Sequence, residues 1–165
     1  MAETIDDLLR SDHDRLNSLW SSLKGLIDRL DPEASRALAE FTAGLRRHIE
    51  FEEAELFPAL RRSIRRPSER ALESLVIDHQ VILEQLDILR IHFRHGRILE
   101  ALQAAGRLET FLEGHNRDEE IGVYHDADRV ISAAEHASLV AKFRSRSGGA
   151  PGPKPRGATT PRVRA

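Results

Sequence analysis

The chain has 165 residues, of which 40 % are hydrophobic and 32 % are charged, and this balance is typical of a single soluble domain with a buried core. It contains no cysteine, which excludes disulfides, thiolate catalysis and sulfur ligands for a metal. The whole chain carries a net charge of −2, and the five basic residues of 145–165 leave −7 on residues 1–144, a charge that argues against nucleic acid as a partner.

Apolar residues at spacings of three and four predict two long amphipathic helices in the first part of the chain. The first helix runs from Ile5 to about Leu30, where Asp31-Pro32 ends it and begins the next. The second runs from Pro32 to about Ser63. Pro58 lacks a backbone donor, so we expect a kink near the end of this helix.

The same spacing predicts two more long helices and a shorter one in the second part of the chain. The third helix runs from about Ser68 to His95, and Gly96 is its expected C-cap. The fourth runs from Ile98 to Tyr124. A fifth, over residues 133–144, begins at a capping box.

Four long helices with short turns predict an all-α fold, an up-down-up-down four-helix bundle with a short C-terminal fifth helix, over residues 1–144. Residues 145–165 are basic and rich in glycine and proline. Such a segment buries too little apolar area to offset the entropy of ordering it, so we expect a disordered tail.

The chain contains two copies of one helical hairpin. HIEFEEAELFP (48–58) aligns with HNRDEEIGVYH (115–125), and SDHDRLNSLWSSL (11–23) aligns with IDHQVILEQLDIL (77–89). Each copy contributes one histidine on its first helix and a His-x-x-x-Glu motif on its second. The six residues are His13, His48 and Glu52 in the first copy, and His79, His115 and Glu119 in the second.

These six residues interrupt the apolar faces of the helices, which points to a shared metal site. A lone histidine on such a face would be interpreted as a hydrogen-bonded core residue, but four in duplicated register are hard to attribute to packing. Residues four apart lie one above the other on a helix, and buried carboxylates require a compensating positive charge. Nitrogen and oxygen ligands without sulfur suit iron or manganese, and zinc less specifically. Two carboxylates in a bundle core can bridge two metals and leave positions open to O₂, peroxide or NO.

The ordered set of six residues resembles the hemerythrin-like (HHE cation-binding) domain family. Asp-His near the start, EEAELFP after the second histidine and ISAAEHASLVAKF after the fourth helix support the resemblance, which covers roughly residues 3–144. It implies a four-helix bundle with an oxo- or hydroxo-bridged non-haem di-iron centre. His13, His48, Glu52, His79, His115 and Glu119 are the implied ligands.

The chain departs from the oxygen-carrying hemerythrins of invertebrates at two places. Those proteins have two histidines four apart on the third helix, whereas Leu75 and Leu83 flank His79 here. They also have an aspartate five residues after the fourth-helix histidine, where this chain has Glu120. One imidazole fewer leaves a more open site, which favours reactivity over reversible O₂ carriage. The absence of cysteine argues against the iron-cluster-repair branch of the family.

We therefore expect a cytoplasmic protein that holds two iron ions, in preference to manganese or zinc, and binds O₂, peroxide or NO with catalase-like peroxide breakdown. A non-enzymatic iron-handling protein or a redox or NO sensor is the alternative. A metal-free helical interaction module that docks through its basic tail is a third hypothesis. Charges interrupt every apolar run and the start is acidic, so no membrane partner is expected, and the sequence predicts no particular protein partner.

Five further polar residues lie close to the six in the sequence. Glu53 and Glu120 recur in both copies on a neighbouring helix face, and a solvated surface is the favoured interpretation. Asp12 and Asp78 each precede a candidate ligand and could orient imidazoles, but adjacent helix residues point about 100° apart, which argues against that role. Tyr124 could line the pocket, but its match to Phe57 in the other copy favours a place in the core.

Overall fold

All regular structure in the computed structural model, which describes residues 3–63 and 69–146, is helical. Two π-helical turns, Glu52–Leu56 and Glu119–Val123, join α2 to α3 and α5 to α6 without a break, so these pairs act as single long helices. The predicted all-α bundle is confirmed. The helices are α1 (Ile5–Asp28), α2 (Ala34–Phe51), α3 (Phe57–Arg62), α4 (Glu69–Arg94), α5 (Ile98–Asp118), α6 (Tyr124–Val130) and α7 (Ala133–Arg146).

The observed helix ends differ from the predicted ones by a few residues, with one larger difference. The fourth long helix continues through α6 to Val130, beyond the predicted end at Tyr124. Helix α7 reaches Arg146, while residues 147–165 of the predicted tail, like the predicted helix start at Ser68, lie outside the described residues. No helix in the described ranges is both long and apolar enough to cross a membrane.

Tight turns between the long helices set their antiparallel order. After α1, Leu30 adopts a left-handed conformation (φ 53°), and the Asp31 amide donates to the Leu26 carbonyl at 2.9 Å. After α4, Gly96 has a φ of 68° and the Arg97 amide donates to the His92 carbonyl at 3.0 Å, so the expected glycine C-cap is present. Helix α1 packs on α2 and α4 packs on α5, which gives one hairpin for each predicted repeat.

The start of α1 is tied to α6 by a carboxylate. Thr4 caps the helix by accepting from the Asp7 amide at 2.9 Å. Asp128, from α6, accepts from the Ile5 amide at 2.8 Å and the Asp6 amide at 3.1 Å. Because the positive end of the helix dipole favours a carboxylate there, this contact stabilises the approach of the last repeat helix to the first.

The bundle interior contains two apolar clusters with a polar layer between them. One cluster surrounds Trp20 and Phe41, whose ring centroids lie 4.9 Å apart. The other contains Phe51 and Phe143 of α7, also 4.9 Å apart. His13 follows Leu9 of the second cluster and precedes Leu16 of the first, and the other three histidines of the repeats occupy equivalent places. The helical pattern therefore places all four imidazoles at one level of the bundle.

Candidate metal centre

All six predicted site residues meet in the polar layer, and all are buried. Within the described part of the chain they form two groups of four, and the possible ligand atoms of each group lie within 4.8 Å of one another. The first group consists of His13, His48, Glu52 and Glu119, and the second of Glu52, His79, His115 and Glu119.

The two carboxylates belong to both groups because each directs one oxygen to either side. Glu52 Oε1 lies 3.3 Å from His48 Nε2, and its Oε2 lies 3.2 Å from His79 Nε2. Glu119 Oε2 lies 3.5 Å from His13 Nε2, and its Oε1 lies 3.2 Å from His115 Nε2. This is the arrangement that two bridging carboxylates require: one oxygen of each is available to each of two neighbouring cations.

A π-helical turn begins at each of these glutamates. The Phe57 amide donates to the Glu52 carbonyl, and the Tyr124 amide donates to the Glu119 carbonyl, five residues back in both cases. Residue i+5 therefore lies above residue i, where an α-helix would place residue i+4. The turn brings both aromatic side chains onto the face of the glutamates. It precedes Pro58 in one copy and His125 in the other, so it does not depend on the proline predicted to kink the helix.

Glu53 and Glu120 support the histidines, a role that their interpretation as solvated surface charges did not include, although the Glu53 side chain is 40 % exposed as that interpretation expected. Glu120 Oε1 lies 2.8 Å from His13 Nδ1, and Glu53 Oε1 lies 2.8 Å from His79 Nδ1. Each carboxylate thus comes from the opposite repeat to the imidazole that it holds. Because the contact occupies Nδ1, it directs Nε2 of each ring into the centre.

Asp12 holds a histidine as well, although not the one beside it in the sequence. Its Oδ2 lies 2.9 Å from His48 Nδ1 on the neighbouring helix. Its counterpart Asp78 lies 3.8 Å from His115 Nδ1, which is beyond hydrogen-bond distance. Asp12 therefore does orient an imidazole, a role that the sequence argument disfavoured. The two repeats support their second histidines unequally.

Tyr124 is buried, as the favoured interpretation predicts, and its hydroxyl also reaches the site, which was the alternative. Its hydroxyl contacts both carboxylates, a short contact to Glu52 Oε1 and one of 2.9 Å to Glu119 Oε2. The matching residue of the other repeat, Phe57, stacks on His79 with ring centroids 5.9 Å apart. The first group consequently has the hydroxyl of Tyr124 beside it, and the second group has the phenyl ring of Phe57 at the matching position.

The electrostatics of the centre combine opposed effects of burial and charge. Burial lowers the pKa of His48 and of His79, but nearby carboxylates outweigh it, raising the pKa of His48 well above its usual value and that of His79 to about 10. Burial raises the pKa of the two glutamates, yet their imidazole neighbours lower it below the usual value at Glu52 and well below it at Glu119. Both carboxylates are therefore held as anions, the form that binds a cation.

Unpaired buried atoms provide a test of whether a cation fits. Glu52 Oε2, His79 Nε2 and Glu119 Oε1 are buried side-chain atoms without a hydrogen-bond partner in the described structure, and all three belong to the second group. An unpaired buried carboxylate oxygen is costly unless a positive ion or a donor reaches it. The donor set is nitrogen and oxygen throughout, which suits iron. The residues present therefore fit a metal pair.

A small cavity of about 10 Å³ adjoins three of the four histidines. Its size corresponds to about one water molecule. Exposed Asn17 and half-buried Asn116 also line it, so the cavity extends from the imidazoles toward the surface between α1 and α5. Its apolar lining consists of Leu16, Phe41, Leu45, Ile49, Ile82 and Leu112.

A family model described as the hemerythrin HHE cation-binding domain matches residues 4–127. The chain belongs to this family. The match begins just before α1, ends within α6 and contains all six site residues, and the buried cluster fits a metal-binding domain. No curated protein and no solved structure matched the chain.

Sequence reasoning identified the six central residues of this hemerythrin HHE domain but missed their supports. One signal was available for the glutamates: Glu53 and Glu120 occupy the same place in both repeats. Asp12 and Asp78 also recur, next to the first histidine of each copy. Repetition in the same register as the six was the signal that could have placed Glu53, Glu120 and Asp12 around the site, although it would also have included Asp78, which lies beyond hydrogen-bond distance of His115.

Proposed function

We propose that this hemerythrin HHE domain holds two iron ions, bridged by the carboxylates of Glu52 and Glu119. One observation carries the proposal: each carboxylate directs its two oxygens to different pairs of histidines. A single-ion site would need only one such group. Two groups that share both carboxylates provide for two ions side by side.

In this proposal the histidines divide between the two ions. His13 and His48 would hold one, and His79 and His115 the other, each through Nε2. The Nδ1 contacts of His13, His48 and His79 keep those three rings oriented before a metal binds. The donor set without sulfur favours iron, or manganese, over softer metals.

We further propose that a small ligand, O₂, peroxide or NO, reaches this centre, and that peroxide breakdown is its reaction. When bound, the iron pair would supply the electron transfer that lets one peroxide be oxidised to O₂ while a second is reduced to two waters. The chain's own residues limit access. The cavity beside the histidines is about 10 Å³, room for about one water molecule, and has largely apolar walls, so it restricts access to small ligands.

The test begins with iron content and the absorption spectrum of the full chain, purified after expression in iron-rich medium. We expect two iron ions per chain and near-ultraviolet charge-transfer bands of a bridged ferric pair. The double variant His13→Ala with His79→Ala should lose both. His95→Ala with His125→Ala is the matched control, because it removes two exposed imidazoles outside the centre and should change neither.

Peroxide loss measured on the iron-loaded chain then separates turnover from binding. Rapid loss of peroxide, absent from the double variant, supports the reaction. Spectral changes with peroxide or NO without turnover would instead support a redox or NO sensor. Fewer than one iron per chain in the unsubstituted protein would overturn the di-iron proposal.

A further inference from the structure

One pair of matched positions beside the two groups carries different side chains, Phe57 in the first copy and Tyr124 in the second. Phe57 and Tyr124 each follow the π turn that begins at a bridging glutamate, so the backbone presents both rings in the same way. Phe57 stacks nearly parallel on His79, with an interplanar angle of 4°. The Tyr124 ring is tilted by 41° to His13, and its hydroxyl enters the first group.

The Tyr124 hydroxyl touches an atom of each of the four residues of the first group. It lies 3.1 Å from His13 Nε2 and 3.3 Å from His48 Nε2. It also contacts Glu52 Oε1, and lies 2.9 Å from Glu119 Oε2. A single phenol has one proton to donate, so it cannot donate to all four atoms at once.

These separations are those of ligands that share one cation. Nitrogen and oxygen ligands lie about 2.0–2.2 Å from a transition metal such as zinc, so two ligands at right angles are separated by about 3 Å. The distances from the Tyr124 hydroxyl to the two imidazole nitrogens and to Glu119 Oε2 are close to that value, and the hydroxyl also contacts Glu52 Oε1. The hydroxyl is therefore about as far from the first three atoms as neighbouring ligands of one metal ion are from each other. Phe57 offers no such atom to the second group.

From this geometry we infer that Tyr124 is a seventh protein ligand, which binds the ion held by His13 and His48 and makes the two metal positions chemically different. This inference rests on the proposed di-iron centre. On coordination the phenol proton passes to solvent and the oxygen bonds to the metal, so charge and atoms balance without a further reactant. Within the described residues, Phe57 gives the second position no oxygen beyond the bridging carboxylates, so that position would keep one more coordination site for the small ligand, and its His115 lines the cavity.

The composition of the chain makes the test direct, because the full sequence contains a single tyrosine. Any tyrosinate-to-metal signal must therefore come from Tyr124. Ferric phenolate complexes absorb visible light and show resonance-enhanced ring vibrations of the phenolate. We expect both signals from the ferric form of the unsubstituted full chain, measured by absorption and resonance Raman spectroscopy. Two bound ferric ions without any tyrosinate vibration would overturn the inference.

Two variants exchange the matched positions. Tyr124→Phe should abolish the visible band while two ions still bind, with the affinity for one of them reduced by roughly tenfold or more. Phe57→Tyr should add a second tyrosinate signal or increase the first. A Tyr124→Phe protein with an unchanged visible band and two unchanged affinities would also overturn the inference.

The same measurements separate this inference from the function on which it rests. Metal content of the unsubstituted chain below one iron defeats the di-iron proposal and the inference together. Two ions per chain with no phenolate signal defeats the inference alone. If Tyr124→Phe does not fold, as circular dichroism would show, the vibrational spectrum of the unsubstituted chain still decides the question.

Discussion

Replacing Asp12 by Asn should weaken both the fold and the metal centre, and the structure sets the size of the effect. Asp12 is buried, accepts from Arg15 Nε at 2.6 Å and contacts His48 Nδ1 at 2.9 Å. Burial raises the pKa of Asp12, but the bonds to His48 and Arg15 outweigh it and lower the pKa from 3.8 to about 2. The charged form is therefore favoured in the folded protein.

This lowered pKa corresponds to about 2 kcal/mol of folding free energy, since each pKa unit is worth about 1.4 kcal/mol. The sign follows from the direction: the contribution is complete above the unfolded pKa of 3.8 and is lost as the pH falls through about 2. At pH 7 the Asp12→Asn variant should therefore lose up to about 2 kcal/mol of unfolding free energy. Metal affinity should fall about 10–100-fold, as it does when the support of a ligating histidine is removed.

Asp78→Asn is the matched control, because the repeat places Asp78 in the equivalent position. Asp78 lies 3.8 Å from His115 Nδ1 and its side chain is 40 % exposed. Such an exposed pair contributes about 0–1 kcal/mol. Urea unfolding of the chelator-treated variants at pH 7 measures stability, and competition with a chromophoric chelator measures metal affinity. Equal losses in the two variants, or no loss in Asp12→Asn, would refute the reasoning.

Three further predictions follow from the same centre. Glu53→Gln and Glu120→Gln should each reduce metal affinity about 10–100-fold by chelator competition, because each removes the charge that holds an Nδ1 atom. Stabilisation by metal, measured as the difference in Tm between loaded and chelator-treated protein, should increase with pH. Burial lowers the pKa of His79, but the carboxylates outweigh it and raise this pKa to about 10. In the metal-free protein, the protonated His79 therefore contributes stability that is complete below pH 6.5 and is lost as the pH rises through about 10. A metal must displace this proton, so metal binding becomes more favourable as the pH rises. Leu112→Phe should slow NO or azide binding in stopped-flow measurements, because Leu112 lines the small cavity.

Each of these predictions has a comparison that can contradict it. Glu50→Gln, an exposed acid on α2 outside the two groups, should leave metal affinity unchanged, and a loss equal to that of Glu53→Gln would remove the role assigned to Glu53. A metal-induced Tm shift that is flat or declines with pH would contradict proton competition at His79. Leu139→Phe, a buried leucine in the other apolar cluster, should not slow ligand binding. If Leu139→Phe slows NO or azide binding as much as Leu112→Phe does, the small cavity is not the path by which the ligand reaches the centre.

The sequence by itself determined the bundle and the six central residues, because both are encoded by short-range periodicity. A spacing of four places His48 above Glu52 within one helix, and the apolar stripe around them requires that face to be buried. The duplication then supplied the second half in the same register. No contact between distant residues had to be known for these inferences.

Only the tertiary structure decided which groups surround the six. Glu120 contacts His13 across 107 residues of sequence, and Asp12 contacts the histidine of the next helix, not its own neighbour. The 100° rule correctly excluded a local contact between Asp12 and His13, but it says nothing about which side chains a neighbouring helix brings into reach.

The π turns are the clearest case of information that local pattern lacks. The two segments EEAEL and EEIGV have only their first two residues, both glutamates, in common. In both, the amide of residue i+5 nevertheless donates to the carbonyl of residue i. At 3.6 residues per turn, Tyr124 would lie on a different helix face from Glu119. The π turn contains one extra residue, which brings Tyr124 back onto the face of Glu119. Each turn places a glutamate and the aromatic residue five positions later on the helix face that meets the shared polar layer, and the apolar pattern of those five residues does not predict this.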